Sequence, residues 1–148
     1  MSTLSDWQQL AIHSHYQTAN AILDRLQAGS PSEASQGLEV LIEAMGRSEK
    51  RAIQSQLIRL MSHIIKWNEQ PELRSASWSI TIQSARDEIE DIQEEVPSLN
   101  RDFIESIWEK CFQRAVRYAE SEMGIQGQVS SLSWEQVFET EYRFVKPT

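Results

Sequence analysis

Trp78-Ser79-Ile80-Thr81-Ile82-Gln83-Ser84-Ala85-Arg86-Asp87-Glu88-Ile89-Glu90-Asp91-Ile92-Gln93-Glu94-Glu95-Val96-Pro97 is the stretch whose reading decides the fold. Trp78, Ile82, Ala85, Ile89, Ile92 and Val96 alternate steps of four and three residues, a period of about 3.5 that a helix keeps on one side. The stripe predicts one amphipathic helix from about Ser75 to Val96, with its seam against a neighbour and Pro97 as its stop. Asp87, Glu88, Glu90, Asp91, Glu94 and Glu95 crowd the same stretch. They read as the solvated side of that helix, with a docking face for a basic partner as the functional alternative.

Helical spacing continues on both sides. Upstream, Ile53, Leu57, Leu60, Met61, Ile64 and Ile65 make the stripe of a helix from Ser48 to about Asn68. Downstream, Phe103, Ile104, Ile107, Trp108, Cys111, Phe112, Ala115, Tyr118 and Ala119 give a helix from about Ser98 to Met123 so broad a face that it is expected at the centre. Ser30-Pro31-Ser32-Glu33 places a cap, a proline at the first helical position and a glutamate at N3 in register, for a helix expected to end at Gly46. A first helix is expected from Ser5, with Gln8 closing a capping box, to about Gln27, and a short last one from the Ser133 to Gln136 box. Gly124-Ile125 reads as a Schellman ending with the isoleucine folded back. The fold class expected is all-α: a single antiparallel bundle of five to six helices, with no sheet.

Composition agrees and narrows the functional classes. The 148 residues carry 5 Gly and 4 Pro, little material for β-turns, and 40% hydrophobic residues, too many for disorder. Cys111 stands alone, so an internal disulfide and every Cys-cluster metal site are excluded, and a reducing compartment is expected. The apolar runs are too short to span a bilayer, and Met1 to Leu10 lacks the pattern of a secretory signal; the expectation is a cytoplasmic protein without a membrane partner. Net charge is −8, split as −1 over residues 1–74 and −7 over residues 75–148, which argues against a general nucleic-acid binder. Five tryptophans are the oddity.

Several strings resemble a bacterial family, the domain of unknown function 29. They are Gly46-Arg47-Ser48-Glu49-Lys50-Arg51-Ala52, His63-Ile64-Ile65-Lys66-Trp67, Gln70-Pro71, Arg74-Ser75-Ala76-Ser77-Trp78, Thr81-Ile82, Pro97-Ser98-Leu99, the Arg114 to Ala119 stretch, Met123-Gly124-Ile125 and Trp134-Glu135-Gln136. The resemblance implies a compact all-helical domain without an agreed activity. It covers a core of about residues 38–140 of one helical domain spanning 1–148, with residues 1–30 packing on that core as an N-terminal helix. It also implies a Glu-Glu-Ile-Glu run before the glycine, where this chain has Val40-Leu41-Ile42-Glu43. Only Glu43 of the acids survives, which weakens a catalytic reading.

Chemistry-bearing residues gather near the end of the third helix. His63 beside an apolar stripe, facing Glu43 from a preceding antiparallel helix and joined by Arg74, is the candidate catalytic set for a hydrolase or nuclease-like enzyme. The structural alternative is a core-edge histidine bonded to a carboxylate or a backbone carbonyl. Lys66, Trp67, Pro71, Arg74 and Trp78 are the candidate binding residues, because Trp and Arg dominate binding hot spots and a helix-breaking connection has no other need of them. Their structural alternative has the indoles capping two helices, with Arg74 stacked on a ring or paired to Glu43 or Glu69. Arg47, Lys50, Arg51, Arg59, Lys66 and Arg74 could grip phosphates, although pairing with the acidic fourth helix explains them more simply. His13 and His15, two apart on a helix, point away from one another and read as surface residues, and Cys111 reads as an inert buried thiol. No metalloprotease, P-loop, hydrolase-elbow, dinucleotide or redox string occurs, so no metal and no cofactor are expected. The leading expectation is a non-catalytic module that binds a protein, with a second copy of itself included, through the Trp67 to Trp78 connection or an apolar strip on the first helix. Enzymatic and, more weakly, nucleic-acid-binding functions are the alternatives.

Overall fold

Thr3, not Ser5, opens the first helix. Its hydroxyl accepts from the Asp6 N–H at 3.1 Å while the Asp6 carboxylate accepts from the Thr3 N–H at 3.1 Å, a complete capping box in which Asp takes the place usual for Glu. The computed structural model describes residues 3–146. Helix α1 runs Leu4–His13 and α2 His15–Gln27. Between them Ser14 is extended (φ −163°), and its hydroxyl caps α2 by accepting from Gln17 N–H at 3.0 Å. The expected single helix to Gln27 is therefore two, and His13 and His15 flank the break. Helix α2 closes with the Schellman geometry that the sequence suggested for Gly124. Gly29 sits at φ +79°, Ser30 N–H donates to Arg25 O at 2.8 Å and Gly29 N–H to Leu26 O at 3.1 Å.

Helix α3 then runs unbroken as Pro31–Glu69. The expected stop at Gly46 is overruled, because one interior glycine costs only about 1 kcal/mol against alanine and is outweighed by the helix on either side. Arg47 bridges back to Glu43 at 2.9 Å, an i,i+4 pair within the turn that Gly46 was expected to end. A 3₁₀ turn at Pro71–Leu73 leads to α4, Ala76–Glu95, which starts close to the expected position and is capped by Ser75, and then to α5, Arg101–Met123, capped by Asn100. Gly124, at φ +71°, ends α5 with a bond from its N–H to Glu120 O, and Ile125 stays 54% exposed instead of folding back. The Ser133 and Gln136 box forms as expected and starts a π-helical turn, Glu135–Glu139. No strand occurs among the described residues, so the fold is all-α.

The chain divides into two compact units, residues 1–50 and 51–148, and α3 contributes to both. In the first, Trp7, Ala11, Ile22, Ala34, Val40, Leu41 and Ala44 form the core. Gly37 makes that core possible. A Cβ there would lie 2.8 Å from Trp7 Cη2 and Cζ3 and 2.9 Å from Ile22 Cγ1, so the indole lies directly on the helix backbone.

The second unit has the larger core. Ile53, Leu57, Leu60, Met61, Ile64 and Ile65 of α3 are at most 1% exposed and meet Ile82, Ala85 and Ile89 of α4 and Ile104, Ile107, Cys111, Phe112, Ala115 and Ala119 of α5. The heptad seam of α4 and the broad face of α5 are thus core as expected, except for Tyr118, which is 56% exposed. The six acids of α4 are all exposed. The most enclosed segment, however, is Leu60 to Trp67 of α3 and not α5; apart from half-buried His63 every residue in it is buried, Ser62 and Lys66 included.

Gly37→Ala is expected to destabilise the first unit by about 1–3 kcal/mol through overpacking, read as a lower denaturation midpoint with a red shift of Trp7 emission in a variant keeping only that tryptophan.

Candidate functional site

The α3 to α4 connection is where the candidate binding residues meet, and each is held by a neighbour. Trp67 is only 6% exposed. Arg74 Nε donates to the Trp67 carbonyl at 2.8 Å, and its guanidinium lies over the Trp67 ring at 4.8 Å; of the expected alternatives the stack is realised. Tyr142 meets the same indole edge-on, with centroids 6.0 Å apart. Arginine and tyrosine thus clasp Trp67 from outside the segment that carries it.

Lys66 is buried beside it. Its ammonium pairs with Glu122 of α5 and lies 5.4 Å from the Trp78 ring centroid of α4, so one α3 charge touches both other helices. Trp78 is half-buried against the core and serves as a wall for that charge. Pro71 opens the 3₁₀ turn and is exposed. Glu69 does not bind Arg74; its Oε1 accepts from Gln128 N–H at 2.6 Å and Val129 N–H at 2.9 Å, and Glu120 accepts from Gly127 N–H at 2.7 Å. Two carboxylates therefore fix the loop after α5.

The candidate catalytic residues are engaged separately. Glu43 belongs to the first unit, 73% exposed at its side chain and paired with Arg47. His63 belongs to the second and rides on the same continuous helix as Glu43, so the antiparallel helices expected to bring the two face to face are not there. His63 Nδ1–H donates to the Arg59 carbonyl at 2.9 Å, which leaves Nε2 as the acceptor of a neutral ring. Burial pushes this imidazole below its ordinary value of 6.5; Lys66 and Arg59 act the same way, against the Arg59 carbonyl bond and Glu122. Burial pushes the Cys111 thiol up, as befits an inert core residue. Among the described residues no group of three or more His, Cys, Asp or Glu side chains could hold a metal ion. Of the basic row, Arg47 pairs along α3, Arg59 donates to Gln56 at 3.2 Å, Lys66 pairs with Glu122 and Arg74 stacks on Trp67.

Sequence reasoning missed the long-range partners. Arg86 of α4 donates through Nε to Val137 O at 2.8 Å and caps the π-helical turn, with Tyr142 5.6 Å from its guanidinium. Burial lowers the Arg86 guanidinium and raises the Tyr142 phenol, each partly offset by the other. Tyr142 donates to Gln136 O at 2.7 Å. A second aromatic group joins Trp134 to Trp108 and Phe138, with Arg101 4.2 Å from the Trp134 centroid. No local spacing signals these contacts, which join residues some 50 positions apart in the case of Arg86.

Fold and cluster together define an all-helical protein whose longest described helix ends near an arginine-clasped tryptophan. The chain belongs to the family described as Domain of unknown function DUF29, whose model matches residues 36–143. No curated protein and no solved structure matches it.

Two outcomes follow from the geometry. Glu122→Gln leaves a buried ammonium without its carboxylate and is expected to cost about 1–2 kcal/mol, whereas Lys66→Met exchanges the charge for an apolar chain of similar length and is expected to stay within about 1 kcal/mol of wild type; chemical denaturation decides the order. Because the folded state holds His63 below its unfolded value, the unfolded chain binds the extra proton. The stability His63 contributes is complete above its unfolded value and is lost as pH falls through the folded one. Between about pH 7.5 and 5.5 wild type should lose more stability than His63→Gln, and equal losses would remove the buried neutral imidazole from the account.

Proposed function

We propose that the protein is a non-catalytic helical association module of the cytoplasm that pairs with a second copy of itself through its first unit. The observation that carries this reading is the stretch Leu38 to Met45 of α3, which is apolar on two sides. Val40, Leu41 and Ala44 are buried in the unit's core, while Leu38, Ile42 and Met45 are 47%, 62% and 47% exposed. Their steps of four and three make one outward stripe, with the exposed Glu39 and Glu43 on the adjoining side of the helix. An apolar surface this wide belongs under cover, and only the part formed by Val40, Leu41 and Ala44 is covered.

The rest of the unit supports the same reading. Leu4, Ile12, Tyr16, Leu23 and Leu26 are also exposed, so eight of the thirteen large exposed hydrophobics among the described residues lie in residues 1–50. An excess of exposed apolar side chains in one unit is what an interaction surface requires, and a standard interface takes about 800 Å² from each partner. Gly46 lies one turn beyond Ile42. It is helical, and a Cβ there would meet nothing of the chain's own, so its missing side chain serves no internal packing and leaves room for another helix. A two-fold axis near Ile42 would set each Leu38 opposite the copy's Met45, a self-complementary pairing that a single sequence supplies. The free thiol of Cys111 supports the cytoplasmic part of the reading.

Light scattering on a sizing column and sedimentation across protein concentration test the proposal. A dimer is expected for wild type and a monomer of unchanged helix content for Ile42→Glu. Since residues 1–50 hold three basic against six acidic residues, pairing should tighten with added salt, which screens like charges while apolar contact persists. A wild-type monomer at every concentration and salt would sink the reading.

A further inference from the structure

Inside the second unit lies a groove of about 560 Å³, lined by Trp67, Pro71, Glu72, Arg74, Arg143, Phe144 and Val145. Its size falls within the range of small-molecule sites, and four of its seven walls are aromatic or apolar. Arg74 is the unusual member. Its Nε is committed to the Trp67 carbonyl and its face to the Trp67 ring, so its plane is fixed, yet its two terminal amino groups have no acceptor and no carboxylate among the described residues. A half-buried guanidinium with a fixed plane and an unspent fork is preorganised for a planar oxyanion.

We propose that this groove binds a small organic carboxylate, its head on the Arg74 fork and its hydrocarbon body against Pro71, Phe144 and Val145. Charge selects the head group. Arg143, the other cation of the groove, is already paired with Glu141 at 3.0 Å, and Glu72 stands on the same wall, so one positive charge is available and one negative charge is present. A carboxylate, planar and singly charged, matches the fork; a phosphate dianion would meet Glu72 with twice the repulsion. The apolar walls require a body of several carbons, which a free acid or the last residue of a peptide could supply. The chemistry is the same in both.

Titration of the full-length protein with 4-phenylbutyrate, followed by calorimetry and by amide chemical shifts, tests the site. Saturable binding is expected, with shifts at Arg74 and Val145. The uncharged 4-phenylbutyramide should bind about tenfold to a hundredfold more weakly, the cost of losing a charge-assisted pair. Arg74→Gln should give a similar loss, but it also frees Trp67, so Val145→Asp provides the second arm. Val145 is 74% exposed, and an acid there should repel the carboxylate by about tenfold or more without touching the Arg74 clasp. Arg143→Gln should leave affinity within about twofold. A tripeptide ending in phenylalanine, compared with its C-terminal amide, distinguishes a peptide terminus from a free acid. Equal binding of acid and amide, tighter binding of inorganic phosphate, or no saturable binding of either carboxylate would overturn the proposal.

Discussion

Burying a lysine inside a helical core imposes terms on everything around it. The Lys66 ammonium is 5% exposed as a residue, and a charge so placed must find an opposite charge and a polarisable surface or stay outside. It finds Glu122 on α5 and the Trp78 face on α4. Hydrophobic contact alone tolerates sliding of one helix on another. An ion pair with one carboxylate and a contact with one ring do not, so Lys66 sets the register in which Ile64 and Ile65 meet the apolar faces of α4 and α5. The next residue, Trp67, needs the same protection, and Arg74 and Tyr142 provide it. Its carbonyl lies at the end of α3, where the helix's own donors run out, and Arg74 Nε supplies one. The connection between α3 and α4 is therefore built around satisfying the groups that the end of α3 exposes.

This arrangement clarifies what could be read from the chain alone. The α4 heptad, the apolar stripe of α3, the broad face of α5 and the Ser133 cap are local signals, each complete within a few turns, and all were legible. Gly46 was misread because a local preference of about 1 kcal/mol does not decide the state of a residue inside a long helix. Ser14 was passed over for the opposite reason: a serine in extended conformation ends one helix and caps the next without proline or glycine to announce it. The division after Lys50 leaves no mark in the periodicity, since α3 carries its helical pattern straight through.

The site shows the same limit more sharply. That Trp67, Arg74 and Trp78 belong together followed from their closeness in sequence, and the stack of Arg74 on an indole was among the arrangements considered. That Tyr142 would meet the same indole depended on a segment dozens of residues away. Glu69 illustrates the loss. A glutamate at a helix end five residues before an arginine invites pairing with it, yet its carboxylate goes to the backbone N–H groups of Gln128 and Val129. Those donors belong to a loop with no helical acceptors of its own, and two charge-assisted bonds from backbone N–H groups to one carboxylate return more than an exposed ion pair does. Local sequence shows the charges available but not the orphaned donors that compete for them.

Competition of this kind also explains why Arg74 is left with an open fork while neighbouring charges are not. Glu69 is taken by the loop, Glu122 by Lys66 and Glu141 by Arg143. Glu72 alone stands near enough in the chain to compete, and it is exposed on the 3₁₀ turn with more to gain from water than from a guanidinium flattened on a ring. In a chain with eight more acids than bases, an arginine without a carboxylate is not the statistical expectation. It results from geometry: the stack on Trp67 dictates the plane, the carbonyl takes Nε, and the remaining edge lies on a groove whose other walls are mostly carbon. Folding uses one of the guanidinium's five N–H donors and leaves the four on its terminal amino groups without an internal acceptor.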